Sequence, residues 1–261
     1  MLRFTANRKF DGLMATTSAR TRTRLLSASG PNAGKSLVAL AGLKQAHFTD
    51  EDFTVILQWR LGIELNTPSC RCLNAKADGD PCEEMLDCYG DHAVCCPCGP
   101  LRIQRHNALT DELADITVET GAHVRREAWI REFANETSDA YLDIWAFGST
   151  DVVDLLIDVT IRHPMSAAYQ PAASSLRGAA ATTGESGKRA RYPAAHGRAV
   201  TPFAVETWGR FGDDAEGLLQ RLVAAATRRQ AIRGHACMPG SIMTRWRAAL
   251  DAVLQRGVAK S

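Results

Sequence analysis

Seven of the eight cysteines fall between positions 70 and 98, with one histidine, His92, among them. That stretch, 67–100, is otherwise rich in Gly, Pro and Asp, which is loop chemistry that needs an external staple. No apolar secretory segment precedes it, so a metal is expected in preference to a disulfide scaffold. Cys70-Arg71-Cys72 is followed by His92 and Cys96. Two short pairs separated by a loop can present four ligands to a tetrahedral Zn²⁺, and the ion then closes only the long loop. Cys82, Cys88, Cys95 and Cys98 are further candidates, and several tetrads can be drawn from the set.

Around this element the chain divides into segments. Residues 1–48 are basic and Ser/Thr-rich, with Arg3, Arg8, Lys9, Arg20, Arg22, Arg24 and Lys35 against Asp11 before position 36, and are expected to be poorly ordered. Gly30 to Ser36 looks like a phosphate-binding loop, but only three residues separate its glycines and no apolar strand precedes it, so nucleotide binding is not expected. Residues 49–66 begin with a helix that Thr49 caps and Gly62 ends. A second helix is predicted over 105–121, with Leu109, Leu113 and Ile116 on its apolar face.

Beyond it, 122–130 reads as an edge strand, and 141–147 and 152–161 as a hairpin turning at Gly148–Asp151. Positions 166–187 read as a flexible Ala/Ser/Gly-rich insertion, followed by a short basic helix at 186–192 and a strand at 200–207. Amphipathic helices at 213–231 and 240–256 complete the 213–261 segment. The expected class is α+β or α/β: a small zinc-bound loop element, then a mixed sheet flanked by helices over 101–212, then C-terminal helices. No apolar run reaches membrane-spanning length, so no membrane partner is expected.

The hairpin carries the candidate chemistry. If it pairs symmetrically about 149 and 150, Asp143 lies opposite Leu156 and diagonal to Asp158 on one face, with Cβ atoms roughly 7–8 Å apart. Two carboxylates so placed can hold one Mg²⁺, which polarises a phosphodiester and acidifies a bound water. A slip of one residue would part them to opposite faces. Asp158, amid Leu-Leu-Ile and Val-Thr-Ile, is costly without a partner; metal binding supplies a reason for it, and so does capping a turn at the strand end or pairing with an arginine. Lys188 could orient the attacking water or neutralise developing charge, and Glu112 could reach the ion from the 105–121 helix. Lys188, Arg189 and Arg191 equally describe a solvated basic face.

In order along the chain stand C-x-C at 70–72, GDHAVCC at 90–96, RHNALTDEL at 105–113, Asp143, DVTIRHP at 158–164, KRARY at 188–192 and PFAVETWG at 202–209. This ordered set resembles the restriction-like PD-(D/E)XK endonuclease region, with its CCHC zinc knuckle, at the C-terminal end of non-LTR retrotransposon reverse transcriptase polyproteins. The resemblance covers roughly 49–215. It implies that Asp143 and Asp158 bind a catalytic Mg²⁺, that Lys188 assists them, and that Cys70, Cys72, His92 and Cys96 hold a structural Zn²⁺. It places Arg105, His106, Arg189 and Arg191 near nucleic acid. It further implies a DNA target nicked to prime reverse transcription, with element RNA as a second partner, and a nuclear location. Leu142 in place of the PD proline, Thr160 in an unmigrated lysine slot, Arg191 and the long insertion depart from the pattern. They keep open a catalytically inactive zinc-dependent nucleic-acid-binding module, or a decayed copy. The 66 residues ahead of the knuckle are too few for a polymerase palm, so none is expected in this chain.

Overall fold

In the computed structural model, residues 2–38, 47–65, 70–76, 78–134, 139–235 and 238–261 are described. Positions 39–46 of the segment expected to be poorly ordered, and 66–69 and 77 of the cysteine-rich region, lie outside them.

The apolar run at 154–162 organises the sheet. Being buried on both faces, it reads as near-continuous hydrophobic sequence and takes a central position. The strands are β1 (His123–Trp129), β2 (Tyr141–Phe147), β3 (Asp154–Arg162) and β4 (Val200–Glu206), in the order β1-β2-β3-β4. β1, β2 and β3 form an antiparallel meander. β4 runs parallel to β3, which requires a crossover. That crossover carries α6 (Gln170–Ala173) and α7 (Ala179–Arg191).

The segment expected to be a flexible insertion is therefore ordered and structural. Its small residues serve close packing: Ala180 and Ala181 are fully buried, and a Cβ at Gly184 would stand 3.0 Å from Thr160 Cγ2 on β3. The buried Glu206 carboxylate accepts from the backbone N–H groups of Ala180 and Ala181, at 3.1 and 3.3 Å, and so caps the start of α7. The basic helix expected at 186–192 is the C-terminal half of α7; its first two turns, from Ala179, were read as insertion because they are made of small residues.

The other face of the sheet is covered by α5 (Leu101–Glu119), α8 (Asp213–Ile232) and α9 (Pro239–Ala259). Leu109, Leu113 and Ile116 of α5 meet Ile144, Ile157, Val159, Phe203 and Val205 of the sheet and Leu218, Leu222, Trp246 and Leu250 of α8 and α9. Full burial of each such side chain stabilises the fold by roughly 1.5–3 kcal/mol.

The basic N-terminal segment is also more ordered than expected. It holds α1 (Leu2–Thr16), α2 (Ala19–Ala28) and a 3-10 turn at Ser36–Val38. The loop that imitates a phosphate site binds the protein's own anion. Asp251 of α9, fully buried, accepts from the Ser36 N–H at 2.9 Å and the Ser36 hydroxyl at 2.5 Å. α3 (Asp50–Leu61) starts at the Thr49 cap and stops at Gly62, whose φ of 70° permits the left-handed turn. Among the described residues no helix is long and apolar enough to cross a membrane.

Candidate functional site

The cysteine-rich stretch folds on a miniature antiparallel hairpin bridged at Arg71↔Met85 and Ala75↔Pro81. Cys72 N donates to Glu84 O and Cys82 N to Asn74 O, each at 2.8 Å. This register makes Cys72 and Cys82 diagonal neighbours on one face. His92 and Cys96 arrive from α4 (Asp91–Cys95) and its C-cap, four residues apart and hence on one side of a turn. The Asp87 carboxylate orients that turn by accepting from the N–H groups of Tyr89, Asp91 and His92 at 2.9, 3.1 and 2.8 Å.

One ligand atom from each of Cys72, Cys82, His92 and Cys96 lies within 4.8 Å of the others, an arrangement that could hold a metal ion. The Cys72–Cys96 and Cys82–Cys96 sulfurs are 3.8 and 3.7 Å apart, and Cys82 Sγ is 3.5 Å from His92 Nε2. A tetrahedron with zinc-to-sulfur and zinc-to-nitrogen bonds of ordinary length has edges of about 3.8 and 3.5 Å, so the donor set fits that ion. Burial pushes the Cys96 thiol up, but hydrogen bonds involving Asn74, the Cys98 backbone and the neighbouring thiols outweigh it and bring the thiol to about 7. This favours the thiolate that a metal requires.

Cys82 stands where Cys70 was expected. Cys70 lies at the open end of the hairpin, its carbonyl accepting from Leu86 N at 2.9 Å, and is exposed. It shares a face with Cys72 but sits one strand repeat, about 6.6 Å, further along. Cys98 is buried against the cluster without belonging to the four.

The knuckle is docked on the core by a chain of polar contacts. Asp91, beside the ligand His92, pairs with Arg20 of α2 and stands 3.2 Å from His163 Nε2. The other ring nitrogen of His163 is 2.8 Å from the Thr207 hydroxyl. His163 also packs on Trp59 and Trp208, which stack with centroids 4.9 Å apart. His163 and Asp91 stand within the DVTIRHP and GDHAVCC runs, but their pairing is not visible there, because they meet only in the tertiary fold.

Arg105 belongs to the same joint and is not a nucleic-acid contact. It is 3% exposed, and donates to Val94 O of α4 at 2.6 Å and to the Ser261 hydroxyl at 2.8 Å. Burial brings its guanidinium down to about 10. A side chain so enclosed offers nothing to phosphate.

The carboxylate pair is met by the next residue of α5, His106, where β2 and β3 part. The hairpin register is Ile144↔Ile157 and Trp145↔Leu156, two residues from the symmetric pairing expected, because the connecting loop runs over 148–153. An even slip preserves the face. Continued by one position, it sets Asp143 directly opposite Asp158. The ladder opens there: Asp143 Oδ2 accepts from the Val159 N–H at 2.6 Å. On β1 the facing residue is Glu127, which has a φ of 47°, and the Arg126 guanidinium donates to Asp143 O at 3.2 Å.

His106 of α5, placed near nucleic acid by the sequence reading, contacts the pair itself, with Nε2 3.3 Å from both Asp143 Oδ2 and Val159 O. Asp158 is 3% exposed. Its buried Oδ2 receives no hydrogen bond of normal geometry, while the Lys188 ammonium stands 2.7 Å away. Burial pushes the Asp158 carboxyl up to about 6, with the Lys188 charge opposing and the facing Asp143 adding to the rise. Burial pushes Asp143 up as well, but the hydrogen bond and charge of His106 outweigh it and hold that carboxyl below its usual range. The two acids are thus driven apart in proton affinity, as happens when like charges share one site.

The remaining expected residues lie further off. Glu112 lines the groove between α5 and α9, about 120° around the helix from His106. Arg189 is exposed and pairs with Asp214 of α8, and Arg191 lies over the Tyr192 ring at 5.1 Å. No protein-family model matches this chain, and no curated protein matches its sequence.

Proposed function

We propose that this chain is a metal-dependent phosphodiesterase acting on DNA, the PD-(D/E)XK-like endonuclease part of a retrotransposon polyprotein, with a structural zinc held by Cys72, Cys82, His92 and Cys96. The observation that carries the reading is the buried Asp158, set opposite Asp143 where the hairpin ladder opens, with the Lys188 ammonium 2.7 Å from its Oδ2 and His106 on Asp143. Two carboxylates that face one another in a buried place repel, and a cation between them relieves that repulsion. Asp143 and Asp158 would hold a divalent cation such as Mg²⁺, which supplies Lewis acidity and lowers the pKa of a bound water. His106 orients the Asp143 carboxylate from below. Lys188 neutralises Asp158, and its ammonium is placed to offset charge that develops on a phosphate brought to the pair. The knuckle, tied to α2, α3 and α5, braces the core beneath the site.

Purified protein with Mg²⁺ is expected to nick supercoiled plasmid DNA, and Asp158→Ala to abolish nicking while zinc content stays unchanged. Equal nicking by both, or by neither, overturns the reading. A second reading, a zinc-dependent nucleic-acid-binding module without catalysis, is favoured by the Lys188–Asp158 ion pair, which neutralises the acid without any ion. It predicts DNA binding, no nicking, and no response to Mg²⁺.

A further inference from the structure

Of the five tryptophans, Trp59, Trp208 and Trp246 are buried and Trp145 is half-buried under Arg198. Trp129 is 47% exposed. It ends β1, and its cross-strand partner in the β1–β2 register is Tyr141, 56% exposed. Directly paired side chains across antiparallel strands have Cβ atoms about 5 Å apart, so the two rings rise from neighbouring positions on one face of the sheet. The indole N–H donates to Asp139 Oδ1 at 3.1 Å, which satisfies its one polar group. What remains uncovered is apolar ring.

Two features decide what this surface fits. Tyr141 precedes Asp143 by two residues on one strand, so it lies about 6.6 Å along the sheet from the carboxylate pair. A group stacked on it would belong to the nucleotide next to a phosphate held at the pair. The residues around the rings are charged and exposed: Arg125, Glu127, Arg131 and Asp139. Two rings in a charged setting are far smaller than the roughly 800 Å² per partner that a stable protein interface needs. They match the area and flatness of nucleobases, which stack on aromatic side chains without regard to sequence. Bases inside a duplex are already stacked and cannot reach them.

We propose that Trp129 and Tyr141 form a stacking platform for unpaired nucleobases beside the Asp143–Asp158 pair, so that the preferred substrate is DNA carrying a single-stranded stretch rather than an uninterrupted duplex. This deepens the nuclease reading and rests on it for the identity of the pair.

The test is fluorescence anisotropy with zinc-loaded full chain and no added Mg²⁺. The probes are a labelled single-stranded oligonucleotide and a blunt duplex of the same sequence. The double variant Trp129→Ala/Tyr141→Ala should lose about tenfold or more of its single-strand affinity, with duplex affinity changed less than twofold. Trp129→Phe/Tyr141→Phe, which keeps both rings, should retain single-strand affinity within twofold. Equal loss on both probes, no loss on either, or no measurable single-strand binding by the wild type overturns the platform. Cleavage with Mg²⁺ is read separately against Asp158→Ala. A chain that binds single strands through the platform yet cuts nothing overturns the nuclease reading alone. A chain that cuts, with single-strand affinity unchanged in the double variant, overturns the platform alone.

Discussion

Asp158→Asn replaces the buried carboxylate by a neutral group of the same shape, and its effect on stability depends on pH in a calculable way. In the unfolded chain an aspartate titrates near 4. In the fold Asp158 titrates at about 6, chiefly because burial disfavours its charge. The folded state therefore holds the proton more tightly, and the wild type loses stability as pH rises from about 4 to about 6. Two units correspond to about 3 kcal/mol. Asparagine has no proton to lose and stays flat across this window. The Lys188 ammonium, 18% exposed, keeps contact with water in the variant.

Wild type and variant should thus be nearly equal at pH 4, while at pH 8 without Mg²⁺ the variant should be more stable by roughly 2–3 kcal/mol. Urea unfolding of zinc-loaded protein at intervals between pH 4 and 8 measures this directly. Added Mg²⁺ should raise the stability of the wild type at pH 8 and leave the variant unmoved, because only the charged pair gains a cation. A variant less stable than wild type at pH 8, or two profiles running parallel, would refute the account of Asp158 as a desolvated acid waiting for a cation.

The ligand assignment is separable by metal analysis: Cys82→Ser should lose stoichiometric zinc, while Cys70→Ser should keep one ion per chain. Arg105→Ala should cost about 1–3 kcal/mol in unfolding free energy, since it leaves the buried Val94 carbonyl without its donor. The salt dependence of DNA binding by the still-folded fraction should be unchanged, and a slope reduced by one phosphate contact would contradict the joint assigned to Arg105. Asp251→Ala should release the loop at 30–36, seen as accelerated proteolysis there, with a stability loss of about 1–3 kcal/mol from the unmatched Ser36 donors.

Much of the architecture was legible because it rests on local rules. The Thr49 and Gly62 signals bound α3, the strand at 141–147 was read to the residue, and the apolar stripe of Leu109, Leu113 and Ile116 marked α5. The cysteine density announced a metal-binding element. Of the 179–191 helix only the basic end, expected at 186–192, was legible; its Ala- and Gly-rich start was read as insertion. The order in the N-terminal segment was hidden for a related reason: its anchors are polar, such as Ser36 on Asp251 and the Arg210 side chain on Leu26 O, and they come from partners near the other end of the chain.

By itself the sequence determined most of the α and β segments from residue 49 onward, nominated three of the four residues of the candidate metal cluster, and set the parity that puts Asp143 and Asp158 on one face. Parity survives because side chains in a strand alternate with a period of two, so the two-residue shift imposed by the loop at 148–153 left the pair intact. Only the tertiary structure decided that Cys82 displaces Cys70, that Arg105 is a buried brace, that His106 reaches the carboxylates and that Glu112 faces another groove. Each of these depends on where a side chain lands after elements far apart in sequence have packed, and burial, which sets both the rise in the Asp158 carboxyl and the fall in the Arg105 guanidinium, exists only once they have.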